Sequence, residues 1–134
     1  QGNWSLLIAD LLPTVQCTGI DINPINIAAA QKLSKPNTQF LLGDVTQLFP
    51  HRRETSDLII VDPPRAGCSP EFLDLINKYP ASWLIYISCH PATMARDLQS
   101  LIPNGWSLEK VLPIDMFPQT YHVETVAVLN RKVR

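Results

Sequence analysis

The sequence of 134 residues lacks the usual marks of a secreted, membrane-bound or metal-binding protein. It has three cysteines, an odd number, and no C-x-x-C pair, so it indicates neither a disulfide framework nor a zinc site. No apolar run approaches the roughly 20 residues that span a bilayer. The N-terminus also lacks the charged segment and the cleavage site of a signal peptide. These absences favour a cytoplasmic protein with no bound metal and no membrane partner.

The chain also has no excess of charge of one sign. Its formal net charge is −1, and 17% of its residues are charged. A protein that binds nucleic acid by itself is usually strongly basic, so this class is disfavoured. Hydrophobic residues make up 46% of the chain, an ordinary value for a globular protein. Length and composition therefore predict one ordered domain over residues 1–134.

What the sequence does contain is an alternation of short apolar strands and helices. Helical patterns cover residues 3–12, the segment from 24 onward, 70–78 and 91–102, and strand patterns cover 15–20, 39–42, 58–61, 83–87, 106–113 and 122–130. Continuously apolar strands separated by helices indicate a parallel sheet covered on both faces. The last two strands have no helix between them, which indicates an antiparallel closing strand. The predicted fold is a doubly wound, mostly parallel α/β sheet.

Chemically active residues follow the predicted strands, where open α/β sheets bind their ligands. The first four strands end at Asp21, Asp44, Asp62 and Cys89. A carboxylate can accept hydrogen bonds from both hydroxyls of a ribose, so Asp21 and Asp44 together favour a cofactor that contains a nucleoside. Taken alone, either residue is equally well explained as a turn or helix-capping aspartate.

The segment Val61-Asp62-Pro63-Pro64-Arg65-Ala66-Gly67 gives a more specific signal. Two consecutive prolines lock an extended backbone directly after a strand, so the side chain of Asp62 is held at the sheet edge. The planar guanidinium of Arg65 can bind a phosphate or a carboxylate, which makes Arg65 a candidate substrate-binding residue. The alternative is a stiff loop in which Asp62 and Arg65 pair with each other.

Three segments, "DPPRAG", "YISCHPATMARDL" and "MFPQTYHVETVAVL", occur in this order. Together they resemble the S-adenosylmethionine-dependent RNA 5-methyluridine methyltransferases, which act on carbon 5 of uridine in tRNA or 23S ribosomal RNA. The resemblance covers nearly the whole chain. It implies a Rossmann-like methyltransferase fold, S-adenosylmethionine as cofactor and RNA as substrate.

The same resemblance suggests that the chain is a truncated catalytic domain. Residues 1–6 are similar to the second half of the family's cofactor loop, so we expect the first strand and the upstream RNA-binding domains to be absent. Such a domain is expected to have weak or no turnover alone, and an open sheet edge favours self-association.

The resemblance also implies roles for individual residues. Cys89 would be the nucleophile and Glu124 the general base, while Asp62 would lie between the cofactor and the flipped base. The implied cofactor-binding residues are Gly2, Asn3, Asp21, Asp44 and Asp62. The family usually has Asn after the catalytic cysteine, whereas this chain has His90. A protonated imidazole could lower the pKa of the thiol, or a neutral one could replace the hydrogen bonds of the amide.

Methyl transfer to carbon 5 of uracil explains why these groups would occur together. A thiolate adds to carbon 6, carbon 5 becomes nucleophilic, and a base later removes the proton from carbon 5. The target base must also leave its stack. Two other readings remain open: a nitrogen-directed methyltransferase of the same fold, and a catalytically silent fragment that serves for binding. Nitrogen-directed enzymes usually have an aromatic residue where this chain has Arg65, and they need no cysteine.

Overall fold

The computed structural model describes residues 3–51, 56–116, 118–120 and 123–131, with the side chains of Asn3 and His51 left out. The chain divides into two compact units, Gln1–Arg52 and Arg53–Arg134. Among the described strands, those of the first unit form a two-stranded sheet and those of the second a four-stranded sheet. Within these ranges no helix has the length and apolar character needed to cross a membrane.

The first unit alternates helices and strands. Its elements are helix α1 (Asn3–Leu11), strand β1 (Cys17–Asp21), helix α2 (Pro24–Lys32), strand β2 (Thr38–Leu42), the short helix α3 (Val45–Leu48) and a 3₁₀ turn (Phe49–His51). Helix α2 begins where the sequence predicts, because the side chain of Asn23 accepts a hydrogen bond from the backbone N–H of Ile25 at 2.9 Å and Pro24 opens the first turn. The sequence analysis did not predict helix α3, because four residues are too few to show a helical period.

Strands β1 and β2 are parallel, with Cys17 opposite Thr38 and Asp21 opposite Leu42. A small core lies against them and consists of Ile27, Ala30 and Phe40, with Leu6 packed at its side. A Cβ atom at Gly19 would lie 2.8 Å from a ring carbon of Phe40. Strand β1 therefore accommodates this ring only because Gly19 has no side chain.

The second unit contains the longer predicted elements. They are strand β3 (Leu58–Val61), helix α4 (Pro70–Lys78), strand β4 (Trp83–Ser88), helix α5 (Pro91–Leu101), a 3₁₀ turn (Ile102–Asn104), strand β5 (Ser107–Ile114) and strand β6 (Glu124–Asn130). These predictions are confirmed to within a few residues at the element ends. His122, where the last predicted strand was expected to begin, lies outside the described residues.

The strand order of this sheet is β3-β4-β6-β5. Strands β3 and β4 are parallel, whereas β6 is antiparallel to both of its neighbours, β4 and β5. The predicted antiparallel strand thus comes last in the chain but lies inside the sheet. Every second residue of β6 is buried, namely Thr125, Ala127 and Leu129, while β5 at the edge is exposed along its whole length. The predicted α/β fold is confirmed, and the paired strands β4 and β6 bring Cys89 and Glu124 to one edge.

Candidate active site

In the second unit, three of the predicted site residues lie at the same edge of the four-stranded sheet. Asp62 follows the end of β3, and Cys89 follows the end of β4, the neighbouring parallel strand. Strand β6 runs in the opposite direction and starts with Glu124 at this edge. Ser88 is paired with Thr125, and Cys89 and Glu124 are the next residues toward this edge on their two segments. The thiol and both carboxylates therefore belong to adjacent strand ends.

Cys89 sits in a tight turn between strand β4 and helix α5. The buried hydroxyl of Ser88 donates a hydrogen bond to the backbone carbonyl of His90 at 3.1 Å and accepts one from the backbone N–H of His90 at 3.0 Å. These bonds join the residues on either side of Cys89. Cys89 itself is half-buried and has a free thiol. The turn thus fixes the backbone of Cys89 while leaving part of its surface accessible.

His90 is the N-cap of helix α5. Its Nδ1 atom accepts a hydrogen bond from the backbone N–H of Thr93 at 3.3 Å. In this contact the ring nitrogen takes the place that a side-chain oxygen takes in other N-caps. Asparagine commonly caps helices in the same way. Of the two explanations that the sequence left open, the geometry favours the one in which His90 replaces the hydrogen bonds of an amide.

The loop after Asp62 is joined to the start of helix α5. The backbone N–H of Gly67 donates to the carbonyl of Pro64 at 2.8 Å, which closes a turn. The hydroxyl of Thr93 lies 3.1 Å from the carbonyl oxygen of Arg65 and 2.9 Å from that of His90, so its single proton is shared between the two acceptors. The side chains of Asp62 and Arg65 are exposed. Both residues are described, and no ion pair joins them, so the stiff loop with an internal Asp–Arg pair is not the observed arrangement.

A buried carboxylate, Asp97, lies behind this loop and was missed by the sequence analysis. Only 1% of Asp97 is exposed. One carboxylate oxygen accepts hydrogen bonds from the backbone N–H of Cys68 at 2.8 Å and from the hydroxyl of Tyr86 at 2.5 Å. The other accepts two from the guanidinium of Arg96, at 2.9 and 2.7 Å. The helical spacing of Met94, Asp97 and Leu101 was the available signal, because it puts a charged residue on an otherwise apolar face.

Cys68, which lies beside Asp97, has the environment of a structural cysteine. Burial raises the pKa of Cys68 to about 11, although its hydrogen bond with Tyr86 acts in the opposite direction. Burial, followed by the hydrogen bond to Asp97, raises the pKa of Tyr86 as well. Cys68 therefore remains a protonated thiol at neutral pH, whereas a nucleophilic cysteine must ionise. Its burial fits the structural role expected of a core cysteine.

In the first unit, the predicted cofactor-binding carboxylates also share one sheet edge. Asp21 ends β1, and its two oxygens accept hydrogen bonds from the backbone N–H of Asn23 at 2.8 Å and the side-chain amide of Asn26 at 2.9 Å. Asp44 follows β2 and accepts bonds from the backbone N–H and the hydroxyl of Thr46, at 2.8 and 2.7 Å. These bonds lower the pKa of Asp44. Both residues therefore make the local turn or capping contacts that the sequence analysis considered.

The remaining predicted cofactor residues are less well defined. Gly2 lies outside the described residues, and Asn3 is described only as the first residue of helix α1. The structure thus brings together Asp62, Cys89 and Glu124 in the second unit, and Asp21 with Asp44 in the first.

Comparison with known proteins shows which family the chain resembles. The sequence profile of the tRNA (uracil-5-)-methyltransferases matches residues 51–132. A more general methyltransferase-domain profile matches residues 1–62.

Curated relatives extend the likeness over most of the chain. An uncharacterized RNA methyltransferase of Clostridium tetani is 39% identical and covers 85% of this chain and 26% of its own length. Another, from Halalkalibacterium halodurans, is 38% identical and covers 98% of this chain and 30% of its own length. The chain therefore spans between a quarter and a third of the length of these relatives.

A solved structure has the same fold. The crystal structure of the Pyrococcus abyssi tRNA (uracil-54, C5)-methyltransferase in complex with S-adenosyl-L-homocysteine matches with a TM-score of 0.82 and 30% identity. The match covers 96% of this chain and 31% of that chain, and it confirms the predicted Rossmann-like methyltransferase fold. Since the specific profile covers more than half of the sequence, the chain belongs to the tRNA (uracil-5-)-methyltransferase family.

Proposed function

We propose that the protein transfers a methyl group from S-adenosylmethionine to carbon 5 of a uridine in tRNA or 23S ribosomal RNA, through a covalent bond between Cys89 and carbon 6. The observation that carries this proposal is the shared sheet edge of Cys89, Asp62 and Glu124. A thiol, a nearby carboxylate base and a methyl donor are the groups that the reaction requires. The family membership supports the same assignment.

In the proposed reaction, the thiolate of Cys89 adds to carbon 6 of uracil. The electron pair of the carbon 5–carbon 6 double bond moves toward the carbonyl and forms an enolate, which makes carbon 5 nucleophilic. After methylation of carbon 5, the carboxylate of Glu124 removes the proton there. The double bond then forms again, the sulfur–carbon 6 bond breaks, and the thiolate of Cys89 is released. Asp62, held by the loop beside Cys89, would orient the reacting base.

The carboxylates of Asp21 and Asp44 fit the proposed cofactor. A carboxylate offers about four lone-pair sites, and the local contacts of these residues leave sites available for the hydroxyl and amine groups of an adenosine. The lowered pKa of Asp44 keeps it ionised and accepting at neutral pH. When bound, S-adenosylmethionine supplies an electrophilic methyl group. Gly2, Asn3 and Asp62 are proposed to bind it by resemblance to the family.

We assign the RNA to the edge of the four-stranded sheet at which Cys89 lies. The guanidinium of Arg65 is exposed, and among the described residues it has no acidic partner, so it can bind a phosphate of the substrate. The net charge of −1 supplies little general attraction for RNA. We therefore propose that most RNA contacts of the complete enzyme arise outside these 134 residues. We also propose a cytoplasmic location, where thiols such as those of the three cysteines stay reduced.

A covalent trap tests the proposed mechanism. The full-length protein is incubated with S-adenosylmethionine and an RNA that contains 5-fluorouridine, and the products are examined by denaturing mass spectrometry. Fluorine at carbon 5 cannot be removed as a proton, so the protein–RNA adduct should persist. We expect Cys89→Ala to abolish the adduct. Glu124→Gln should retain it, because thiol addition precedes proton removal.

Cys17→Ala is the matched control, since Cys17 is also a half-buried free cysteine but lies in strand β1 of the other unit. It should leave adduct formation unchanged. Absence of an adduct from a wild-type protein that still binds S-adenosylmethionine would contradict the uracil-C5 mechanism and favour nitrogen methylation or a silent binding protein.

A further inference from the structure

The buried carboxylate of Asp97 has no part in the reaction described above, yet hydrogen-bond donors surround it. A buried charge is costly unless it is paired and hydrogen-bonded. Asp97, 1% exposed, accepts four hydrogen bonds, two at each oxygen. Both oxygens of this side chain are therefore held in place by their hydrogen bonds.

Two of these contacts lead to the loop that follows Asp62. The backbone N–H of Cys68 donates directly to Asp97 at 2.8 Å. The guanidinium of Arg96 binds Asp97 and also donates to the carbonyl of Ala66 at 2.8 Å. The carboxylate thus holds the loop directly at the N–H of Cys68. It also holds the loop indirectly, through Arg96, at the carbonyl of Ala66.

The backbone of Gly67 shows how closely the loop approaches this carboxylate. Its φ angle is +83°, a left-handed conformation that favours glycine. A Cβ atom at Gly67 would lie 2.6 Å from an oxygen of Asp97 and 2.6 Å from a nitrogen of Arg96. Any side chain at residue 67 would therefore push the loop away from helix α5.

Helix α5 also holds the turn that contains Cys89. The helix is capped by His90, and the hydroxyl of Thr93 in its first turn binds the carbonyl of Arg65. One rigid helix is therefore attached to the Cys89 turn at its N-terminus and to the loop after Asp62 along its side. Movement of the loop relative to the helix would change the spacing between the proposed nucleophile and Asp62.

We propose that Asp97 is a positioning residue that fixes the loop of residues 62–68 against helix α5, and thereby sets the placement of Asp62 relative to Cys89. The inference rests on the proposed function, because the value of this placement depends on methyl transfer at the shared edge. Asp97 acts through the loop and does not touch the substrate.

Replacement of Asp97 by asparagine tests this role with a nearly isosteric side chain. Arg96 and Cys68 bind different oxygens of Asp97, so an asparagine in the same place would turn its NH₂ donor toward one of these two donors and lose that hydrogen bond. Tyr86→Phe is the comparison variant, because it removes the hydroxyl that binds Asp97 and the thiol of Cys68 but leaves the two backbone attachments of the loop, at the N–H of Cys68 and the carbonyl of Ala66, in place.

The full-length variants are compared in two ways. In hydrogen exchange followed by mass spectrometry, the segment of residues 62–68 should exchange at least tenfold faster in Asp97→Asn than in Tyr86→Phe. In methylation assays well below the unfolding temperature, Asp97→Asn should lower kcat at least tenfold and change KM for RNA less than threefold. Tyr86→Phe should change kcat less than threefold.

The outcomes separate this inference from the proposed function. Faster exchange in Asp97→Asn with unchanged kcat would overturn the positioning role, and so would unchanged exchange of the loop. A wild-type protein that forms no adduct and methylates no RNA would overturn the proposed function, while the exchange measurement would still decide whether Asp97 holds the loop.

Arg96→Ala provides a second route if Asp97→Asn fails to fold. The side chain of Arg96 is 56% exposed, so its removal does not open the core, yet it takes away the link between Asp97 and Ala66. Like Asp97→Asn, it should speed hydrogen exchange of the loop and lower kcat. Wild-type exchange and kcat in a folded Arg96→Ala protein would count against the proposal.

Discussion

At the scale of single residues, His90 shows how a histidine can cap a helix at a position where an asparagine is usual. His90 caps helix α5 through Nδ1, and the hydroxyl of Ser88 holds the backbone of His90. A helix N-cap needs a side-chain acceptor, which both asparagine and a neutral histidine provide. The imidazole therefore contributes to the shape of the Cys89 turn.

Substitutions at His90 test this interpretation. His90→Asn should keep the free energy of unfolding within about 0.5 kcal/mol of wild type and retain adduct formation, because asparagine is a strong N-cap. His90→Ala should lose about 1 kcal/mol, since the N–H of Thr93 loses its acceptor. Urea denaturation and the rate of 5-fluorouridine adduct formation measure the two effects.

Ser69→Ala is the control for loss of a cap. The hydroxyl of Ser69 accepts from the backbone N–H of Phe72 and caps helix α4. This variant should lose similar stability but form the adduct at the wild-type rate. If His90→Asn greatly slowed adduct formation, a chemical role of the imidazole would replace the capping role.

The residue-level predictions from the sequence depended on chemistry next to a strand end. Such a pattern identified Asp62 and Cys89, because side chains after parallel strands meet at one edge. Asp97 could not be recognised in this way, since its partners come from residues distant in sequence, such as Cys68. The assigned roles of Cys89, Glu124 and the cofactor residues stay predictions.

At the scale of elements, helix α4 is tied to the end of strand β6 by one side chain. The guanidinium of Arg131 donates to the carbonyls of Ile76, Asn77 and Ala81 at 3.3, 2.7 and 3.0 Å. It also lies 4.2 Å from the centre of the Trp106 ring. Partial burial lowers the pKa of Arg131. A cation here satisfies the carbonyls left open at a helix C-terminus.

Arg131→Met should therefore lower the free energy of unfolding by about 2 kcal/mol, because the three carbonyls lose a charged donor. Arg131→Lys should recover only part of this loss. The compact ammonium group of lysine lacks the planar fork with which the guanidinium reaches three carbonyls. Lys78→Met is the matched control, because Lys78 is an exposed cation in the last turn of the same helix. Urea denaturation curves give each value, and equal losses for Arg131→Met and Lys78→Met would contradict this explanation.

Element positions were largely predictable, whereas strand neighbours were not. Proline and capping residues marked the starts of α2 and α4, and apolar runs marked β3 and β4. Periodicity does not say which strands pair, so the interior place of β6 between β4 and β5 required the structure. The exposed edge strand β5 is compatible with self-association, which stays a prediction.

At the scale of the whole molecule, the two units differ in how much sheet each contains. The first unit has a parallel two-stranded sheet and a small core around Phe40. The second has a four-stranded sheet whose inner strands, β4 and β6, contain fully buried residues such as Leu84, Ala127 and Leu129. Two-stranded sheets are marginally stable by themselves, and proteins open in separate cooperative segments.

We therefore expect the two units of the 134-residue chain to differ in hydrogen exchange. Amides of β4 and β6 should exchange at least tenfold more slowly than those of β1 and β2. S-adenosylmethionine should slow exchange around Asp21 and Asp44, because a ligand stabilises the state that it binds. Equal exchange in both units would indicate a single cooperative unit and contradict this expectation, and an unchanged first unit at saturating cofactor would count against the proposed cofactor residues.

The interior position of β6 has a consequence for the order in which the protein is made. On the ribosome, residues of β3 and β4 emerge well before those of β6, at about 5–20 residues per second. Until Glu124 and the rest of β6 have been synthesised, one side of β4 has no hydrogen-bonded neighbour. A nascent chain thus carries Cys89 before it carries Glu124. Closing of the sheet by β6 is also the step that brings the proposed nucleophile and the proposed base to one edge.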